Sequence, residues 1–464
     1  MEIFKSATES NQEYRDRVLN TLSPSFCGAK WYNATIWLNS GQTTSCHHPP
    51  AHLIPLSEVK NSIKAIHNTK FKKAVRQEML DGKFPKECDY CWKVEALGPD
   101  QVSDRIFKSF LYSEDDLKRC ITEHKADSDV DLQTLEIAFD SNCNFACSYC
   151  NSSFSTTWQN DIKTNGKYIN LISDGGGAYE QDGSWTIPYG LKNEGNPWVK
   201  AFWEWWEGDL QNSLKQLRVT GGEVTMSPDF WKLMDWWKQH PDCDIDFAVN
   251  SNLGCNPNLI KRLAEASHSI KNFDLYTSNE SYGSHAEYIR DGLIWDKWIE
   301  NIYYMMNNGN VHMLHIMLTI NNLCLFSLIE FMEEIFKMKE ILKTGSPFIT
   351  FNILRFPSFM SIVTLPINIR LSLASKLEKW FEQNKNRYFF QDIEKDGLIR
   401  LISYIKNVKI GHDNTSSILS REQDFKSFFE QYDKRRNKNF ILTFKDHPDL
   451  IEWYESLNKK EVIQ

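Results

Sequence analysis

Three closely spaced cysteines constrain the fold and function of this chain more than any other feature. Cys143, Cys147 and Cys150 stand at C-x3-C-x2-C spacing, directly after residues 135–139, whose apolar side chains alternate as in a strand. Three thiolates on one short loop predict a metal site. Because a closed zinc or iron–sulfur site uses four protein ligands, three ligands favour a [4Fe-4S] cluster whose fourth iron binds a small molecule. A zinc knuckle and three buried, reduced cysteines are the alternatives.

Length, charge and the N-terminal sequence limit the class of protein. The 464 residues predict roughly three domains, and a hydrophobic content of 41% is enough for sizeable cores. The formal charge of −8 gives no basic patch, so nucleic acid is not an expected partner. The N-terminus has no apolar signal core, and no segment has the roughly 18 apolar residues of a membrane span. We therefore expect a cytoplasmic protein without a membrane partner, in which seven of the eleven cysteines form metal-site groups rather than disulfides.

A second set of cysteines lies near the N-terminus. Cys27 and Cys46 flank a predicted hairpin with Gly41 at its turn, and Cys88 and Cys91 form a C-x2-C pair after a helical pattern. Four thiolates are a complete ligand set for an iron–sulfur cluster or for structural zinc. Two histidines that directly follow the second cysteine add support for zinc.

Between about residues 131 and 360, short apolar strands alternate with helical patterns. This alternation is the signature of a parallel α/β sheet or barrel. The predicted strands are residues 135–139, 216–220, 244–249, 272–276, 311–320 and 348–354. In barrels the active site lies at the C-terminal ends of the strands, so we expect functional residues there.

Polar residues follow several of these predicted strands. The second strand ends in Gly221-Gly222-Glu223, where bare backbone allows a ligand to approach closely and the carboxylate is a partner for an ammonium group. On its own, this sequence is a common turn. Asn252 and Ser278 follow the third and fourth strands, where they either bind ribose hydroxyls or serve as ordinary turn residues.

Together, these motifs resemble those of the radical S-adenosylmethionine (radical SAM) enzymes over residues 20–360. CNFACSYC at 143–150 resembles the cluster loop of the family, GGE at 221–223 its motif after the second strand, and EYIRDGLIWDKWIENI at 287–302 its segment after the fourth strand. The resemblance implies a partial (β/α)6 barrel and a cluster whose open iron is chelated by SAM. It also implies cleavage of SAM to methionine and a 5′-deoxyadenosyl radical, which abstracts a substrate hydrogen.

The resemblance further implies roles for individual residues. Tyr149 contacts the adenine of SAM, Glu223 and the backbone beside it receive the amino group, and Arg290 pairs with the carboxylate. Asn322, after the fifth strand, hydrogen-bonds the adenine or ribose. The implied SAM-binding residues are Tyr149, Gly221, Gly222, Glu223, Asn252, Ser278, Arg290 and Asn322, and the implied ligands of the catalytic cluster are Cys143, Cys147 and Cys150.

The N-terminal cysteines resemble another motif of the same family. C-x13-G-x4-C followed later by C-x2-C resembles the first part of the SPASM motif and its short version, the twitch domain, which hold auxiliary [4Fe-4S] clusters. Cys27, Cys46, Cys88 and Cys91 then bind one auxiliary cluster, with zinc as the alternative. The module departs from the family pattern because it precedes the barrel and lacks the ligands of a second auxiliary cluster.

Three regions are predicted. They are a small cysteine-rich twitch- or SPASM-like module at 1–130, the partial barrel at 131–360 with an insertion at 152–212, and a helical C-terminal region at 361–464. In the insertion, Trp203, Trp205 and Trp206 either line a substrate pocket or pack on the barrel. The basic run at 434–436 is interpreted as a solvated helix face.

The expected protein is an α/β enzyme of the oxidoreductase or maturase type. Its chemistry requires an electron donor such as a flavodoxin or ferredoxin, and its substrate is a peptide or protein side chain or a small metabolite. Tyr276, Glu280 and His315 are candidate acids or bases by their position near strand ends. One alternative is a non-catalytic zinc or iron–sulfur scaffold. Another is an RNA-modifying radical SAM enzyme, which the acidic charge disfavours.

Overall fold

A computed structural model describes residues 3–181, 195–409, 411 and 415–457 of the chain. The fold is mixed α/β, with a large, mainly parallel sheet and a helical C-terminal region. Residues 182–194 of the predicted insertion lie outside the described residues. Within the part of the chain that the structure describes, no helix is both long and apolar enough to cross a membrane.

The strands and the longer helices have the following bounds. The strands are β1 Asn33–Trp37, β2 Gln42–Thr44, β3 His52–Leu53, β4 Thr134–Ala138, β5 Ala146–Cys147, β6 Gln216–Thr220, β7 Asp246–Asn250, β8 Phe273–Ser278, β9 Arg290–Asp291, β10 Met313–Ile320 and β11 Phe348–Ile353. The helices of six or more residues are α1 Lys70–Leu80, α2 Asp89–Glu95, α3 Asp104–Ser109, α4 Glu114–Arg119, α5 Thr156–Asn165, α6 Pro197–Trp205, α7 Pro228–Gln239, α8 Pro257–Ser267, α9 Gly283–Ile289, α10 Trp295–Asn308, α11 Leu328–Leu342, α12 Ile367–Asn384, α13 Asp392–Asn407, α14 Ile418–Arg436 and α15 Pro448–Ser456.

The chain forms two compact units. Unit 1 comprises Met1–Asp140, Trp185–Gly221 and Asp242–Ala248, and unit 2 comprises Ser141–Ser184, Gly222–Pro241 and Val249–Gln464. All six predicted strands are present, as β4, β6, β7, β8, β10 and β11, with ends within two residues of the prediction. The partial barrel and the domain boundaries remain predictions.

Unit 1 contains the N-terminal strands together with β4 and β6. Its strand order is β7-β6-β4-β1-β2-β3, with β1, β4 and β6 parallel to one another and β2 and β3 antiparallel. Ile36 lies beside Ile137, and Ile137 lies beside Val219, so one apolar layer crosses three strands. All three side chains are buried because alternate residues of each strand face the same side. The predicted N-terminal hairpin is present, and its first strand extends the parallel sheet.

Unit 2 contains the remaining parallel strands and the C-terminal helices. Its strand order is β7-β8-β10-β11, and β8, β10 and β11 are parallel. Leu275, Leu314, Ile316 and Ile349 lie on the buried face of these strands. The C-terminal ends of neighbouring parallel strands share one edge of a sheet, and the loops that leave that edge carry most of the predicted site residues.

The tryptophan-rich helix α6 packs within unit 1. Asn196 caps it by accepting bonds from the backbone of the first turn, and a proline occupies its first position. Trp205 donates from Nε1 to Asp131 at 2.7 Å, and Trp203 stacks on Phe139. Trp205 and Trp206 are fully buried. These contacts favour the packing interpretation of the tryptophans over a substrate pocket.

The prediction that residues 434–436 form a solvated face is wrong for two of the three. Only Lys434 is exposed. Arg435 pairs with Asp161 at 3.5 Å, and Arg436 pairs with Asp291 at 3.2 Å, within unit 2. The partners lie far away in sequence, so the charge run alone did not reveal that α14 is anchored to α5 and β9.

Candidate functional site

The three loop cysteines lie on the segment that follows β4 and belongs to unit 2. Its short strand β5 pairs antiparallel with β9. Trp158 of α5 donates from Nε1 to the carbonyl of Cys147 at 3.0 Å, and Thr157 donates from Oγ1 to the carbonyl of Cys143 at 2.6 Å. The loop backbone is therefore held by partners on α5 and β9, which fixes the directions of its side chains.

The thiols of this loop interact with one another. Burial, followed by the charge of Cys147, raises the pKa of Cys143 to about 12. Burial raises the pKa of Cys147 to about 11, although Arg290 opposes the shift, and burial with the charges of Cys147 and Cys143 raises the pKa of Cys150. Burial therefore holds these thiols in the neutral form, and thiolate charges on Cys143 and Cys147 would repel a charge on Cys150. A cationic metal centre would relieve this repulsion as the thiols lose their protons.

Two glycines bring the loop after β6 against the cysteine loop. A Cβ on Gly222 would lie 2.2 Å from the carbonyl oxygen of Asn142, the residue before the first cysteine. Within unit 1, Gly221 has φ +145°, and a Cβ there would lie 2.8 Å from the carbonyl oxygen of Asp140. Glu223 then donates from its backbone N–H to the carbonyl of Asn142 at 2.5 Å. The glycines are needed for the contact of two backbones, whatever ligand binds beside them.

Glu223 is a fully buried carboxylate that accepts hydrogen bonds from two loops. Its Oε1 accepts from Thr225 Oγ1 at 2.6 Å and from Ser251 Oγ at 2.8 Å, and its Oε2 accepts from the backbone N–H of Asn252 at 2.6 Å. Burial raises the pKa of the carboxyl group, and these donors oppose the shift. The side chain therefore joins the loop after β6 to the residues that follow β7 in unit 2.

Asn252 lies at the contact between the cysteine loop and the residues after β7. Its Nδ2 donates to Asn144 Oδ1 at 2.8 Å, and its Oδ1 accepts from the backbone of Gly254 at 2.8 Å. Asn144 in turn donates from Nδ2 to the carbonyl of Gly254 at 2.8 Å. A Cβ on Gly254 would lie 2.2 Å from the ring of Phe145. The structure places Asn252 beside the cysteine loop, where its amide already has protein partners.

Arg290 lies beside the cysteines in a buried ion pair. Its Nε and Nη2 donate to Oε2 of Glu280 at 3.1 and 3.0 Å, and its Nη1 lies 3.7 Å from the sulfur of Cys147. Tyr149 donates to the same Glu280 oxygen at 3.2 Å, and the guanidinium carbon lies 5.5 Å from its ring centre. Burial raises the pKa of Glu280, while the Arg290 charge opposes the shift. The carboxylate of Glu280 therefore holds both Tyr149 and Arg290 beside the cysteine loop, whereas the sequence pointed to Glu280 only as a possible acid or base.

Ser278 and Asn322 lie near the C-terminal ends of β8 and β10. Ser278 is partly exposed, whereas Asn322 is buried and donates from Nδ2 to the carbonyl of Phe359 at 2.9 Å. Among the described residues, Asn322 Oδ1, Asn279 Nδ2 and Asn250 Oδ1 are buried atoms without a hydrogen-bond partner. These unpaired amide atoms at neighbouring strand ends provide one donor and two acceptors for a polar ligand.

The four N-terminal cysteines are brought to one pocket in unit 1. Cys27, Cys46, Cys88 and Cys91 all line it, together with Lys30. Burial raises the pKa of Cys27 to about 11 and of Cys88 to about 12. Burial also raises the pKa of Cys91, with a further contribution from the charge of Cys46. The sequence prediction that the hairpin cysteines and the C-x2-C pair meet is consistent with this pocket.

Sequence reasoning did not identify several residues that connect these loops. Asn144 and Ser251 were not predicted to bind Asn252 and Glu223, although each stands next to a predicted site residue. Polar residues directly after a predicted strand were the available signal. Glu280, two residues after the end of β8, fits the same signal.

Comparisons with known proteins gave only remote structural likenesses. A scan against protein-family models and a search of curated proteins each found no match. Streptococcus suis SuiB bound to S-adenosylmethionine aligns with a TM-score of 0.35 at 12% identity, over 76% of this chain and 72% of that chain. A histidine-tagged form of anSMEcpe with bound AdoMet aligns with a TM-score of 0.33 at 14% identity, over 54% of this chain and 59% of that chain. SuiB bound to the precursor peptide SuiA gives a TM-score of 0.33 at 12% identity, over 78% and 73%. These scores are too low for the likeness to carry an argument about the activity of this chain.

Proposed function

We propose that the chain is a radical SAM enzyme with one auxiliary metal site. The observation that carries the proposal is the contact of the Gly222–Glu223 backbone with the loop of three cysteines, at Asn142 directly before Cys143. A three-cysteine loop in contact with the Gly222–Glu223 backbone is a more specific combination than either motif alone.

The residues of the site fit an iron–sulfur cluster and SAM. Cys143, Cys147 and Cys150 would hold a [4Fe-4S] cluster and leave one iron for a small ligand, because three thiolates cannot complete four sites. When bound, the cluster supplies the electron that cleaves SAM to methionine and a 5′-deoxyadenosyl radical. The unpaired amide atoms of Asn279 and Asn322 provide polar groups near the same strand ends.

Glu223 and Arg290 would bind the two ends of the amino-acid part of SAM. Among the described residues, Oε2 of Glu223 accepts only the N–H of Asn252, which leaves a lone pair for an ammonium group. Arg290 has its Nη1 directed to Cys147 while Glu280 holds the rest of the guanidinium group. This ion pair would position the arginine for a carboxylate close to the cluster.

The other predicted contacts to SAM are part of the same proposal. Tyr149 would contact the adenine, with Glu280 fixing its hydroxyl group. Asn252, Ser278 and Asn322 would contribute polar contacts to the ribose or adenine, and Gly221 with Gly222 would present backbone. A partial (β/α)6 barrel would place these strand ends around one cavity.

The N-terminal pocket would hold an auxiliary [4Fe-4S] cluster, with zinc as the alternative. Cys27, Cys46, Cys88 and Cys91 line the same pocket. Four thiolates form a complete ligand set for either metal centre. The substrate would be a peptide or protein side chain or a small metabolite, and a flavodoxin or ferredoxin in the cytoplasm would deliver the electron. A cluster held by these cysteines would supply a second redox centre, which suits an enzyme of the oxidoreductase or maturase type.

The proposal is tested by anaerobic reconstitution with iron and sulfide. Iron, sulfide and zinc are counted, and 5′-deoxyadenosine release from SAM is measured with dithionite as the reductant. The wild type is compared with a variant in which Cys143, Cys147 and Cys150 are all replaced by alanine. Cys243→Ala is the matched control, because Cys243 is a half-buried cysteine outside both sets.

We expect about eight irons per chain with SAM cleavage, and about four irons without cleavage in the triple variant. About four irons with one zinc, and cleavage retained, would assign the N-terminal site to zinc and keep the enzyme. A wild-type chain with neither iron nor cleavage would contradict the proposal and support a zinc-binding scaffold.

A further inference from the structure

Two histidines and an aspartate converge outside both cysteine sets. The Nε2 atoms of His47 and His48 lie 3.1 and 2.6 Å from the same oxygen, Oδ2 of Asp104, in unit 1. One ligand atom from each of the three residues lies within 4.8 Å of the others. Both imidazole nitrogens are thus directed at the same carboxylate oxygen.

Neighbouring elements hold this arrangement. His47 and His48 follow β2, and Asp104 is the first residue of α3. The ring of His48 stacks on Tyr90 of α2 with centres 3.8 Å apart, and the two imidazole rings lie 4.0 Å apart. The side chain of His48 is 15% exposed, whereas that of His47 is 62% exposed. One imidazole is therefore fixed by packing, and the other leaves a path from solvent.

We propose that His47, His48 and Asp104 bind a divalent transition-metal ion, with Zn²⁺ the best fit to these donors. Imidazole nitrogen and carboxylate oxygen are both zinc ligands, and three protein ligands leave a fourth position for water or a small ligand. This inference does not depend on the proposed enzyme activity, because its donors include none of the cysteines.

The distances are compatible with a small adjustment on binding. Ligands about 2.0–2.1 Å from a tetrahedral zinc ion lie about 3.3 Å from one another. The separation of 3.1 Å between His47 and Asp104 is already close to that value. The separation of 2.6 Å between His48 and Asp104 must increase by about 0.7 Å. Replacement of the direct hydrogen bonds by metal bonds provides that change.

The site shares a pocket with the N-terminal cysteines, so the experiment must distinguish the two sets of donors. His48 and Asp104 line the same pocket as Cys46 and Cys91. Cobalt(II) distinguishes the donors by its visible spectrum, since thiolate ligands add a sulfur-to-metal charge-transfer band and nitrogen and oxygen ligands do not. The full-length, iron-reconstituted protein is titrated with Co²⁺, and bound cobalt and iron are both counted after dialysis.

The variants are Asp104→Asn and His47→Gln, and the controls are Asp100→Asn and His312→Gln. The His47 side chain is mostly exposed, so its replacement tests the site even if the Asp104 variant fails to fold. Asp100 and His312 are exposed residues elsewhere. We expect one cobalt per wild-type or control chain, with no charge-transfer band. Either site variant should bind cobalt at least about tenfold more weakly. Replacement of a residue that only hydrogen-bonds to a metal ligand already reduces metal affinity by about this factor, and here a ligand itself is replaced.

Three results would overturn the proposal. They are no cobalt binding by the wild type, equal binding by the wild type and His47→Gln, and a charge-transfer band that assigns the bound cobalt to cysteines. If the wild type binds no cobalt, His47, His48 and Asp104 form a hydrogen-bonded cluster and no metal site. Iron content and SAM cleavage are recorded on the same samples, so failure of this site and failure of the proposed enzyme activity are separate results.

Discussion

Replacement of Gly222 by alanine tests the contact on which the candidate site depends. The added Cβ would lie 2.2 Å from the carbonyl oxygen of Asn142 and 2.7 Å from the carbonyl oxygen of Ser141. Both obstacles are backbone atoms, so no side-chain rotation relieves the clash. The two loops must separate by about 1.2 Å to regain an ordinary contact of 3.4 Å.

The expected loss of stability follows from two contributions. Overpacking of this kind destabilises by about 1–3 kcal/mol. Separation of the loops also weakens the hydrogen bond from the N–H of Glu223 to Asn142, worth about 0.5–1.5 kcal/mol. We therefore expect Gly222→Ala to lower the free energy of unfolding by about 2–4 kcal/mol and to lower the iron content, because Asn142 directly precedes Cys143.

The assay is thermal unfolding of the metal-free protein, with iron counted after reconstitution. Gly177→Ala is the control, because Gly177 lies in unit 2 and a Cβ there meets nothing within 4 Å. For a domain of about 150–250 residues, a decrease of about 2 kcal/mol in the free energy of unfolding lowers Tm by about 4 °C or more. Equal Tm and equal iron content in the two variants would refute the reasoning.

Three further substitutions or conditions give distinct expectations. Arg290→Lys keeps the charge but loses the two-nitrogen contact to Glu280, so equilibrium binding should show SAM affinity reduced by at least about tenfold with iron content unchanged. Lys339→Met leaves the fully buried Glu394 without its cation, so urea unfolding should show a free energy of unfolding lower by about 3–5 kcal/mol. A decrease below about 1 kcal/mol would contradict a stabilising role for this ion pair. Burial lowers the pKa of His285 to about 4, so as the pH falls the unfolded chain binds a proton at this residue before the folded chain does. Stability should fall as the pH drops from about 6.5 to 4, and His285→Gln should reduce that slope.

Features with a local sequence pattern were predicted well. Alternating apolar residues identified each of the six strands, because one buried face repeats every second residue. The hairpin around Gly41 and the Cys88–Cys91 pair were also recognised, because turn residues and cysteine spacing are read from a few neighbouring positions. The hairpin's pairing with β4 was not predicted, because the two strands are almost a hundred residues apart and either edge of the sheet was available.

Features that depend on distant partners could not be derived from one sequence. Arg436 is held by Asp291 and stacks on Trp158, so its burial depends on residues far from its own helix. Glu223 was expected to face a ligand, and the structure adds that it also fixes the backbone of Asn252. A hydrophobic or charged pattern shows which side of an element is buried, but it does not show which element covers it.

The most direct test of the account is the electron paramagnetic resonance spectrum of a reduced variant without the N-terminal ligands. Cys88→Ala/Cys91→Ala removes two thiols of the auxiliary set and leaves Cys143, Cys147 and Cys150 in place. We expect about four irons per chain and a [4Fe-4S] signal that changes when SAM is added, because one iron has no protein ligand. A signal that SAM leaves unchanged would contradict an open iron on the three-cysteine loop. The absence of any iron–sulfur signal would contradict the proposed catalytic cluster itself.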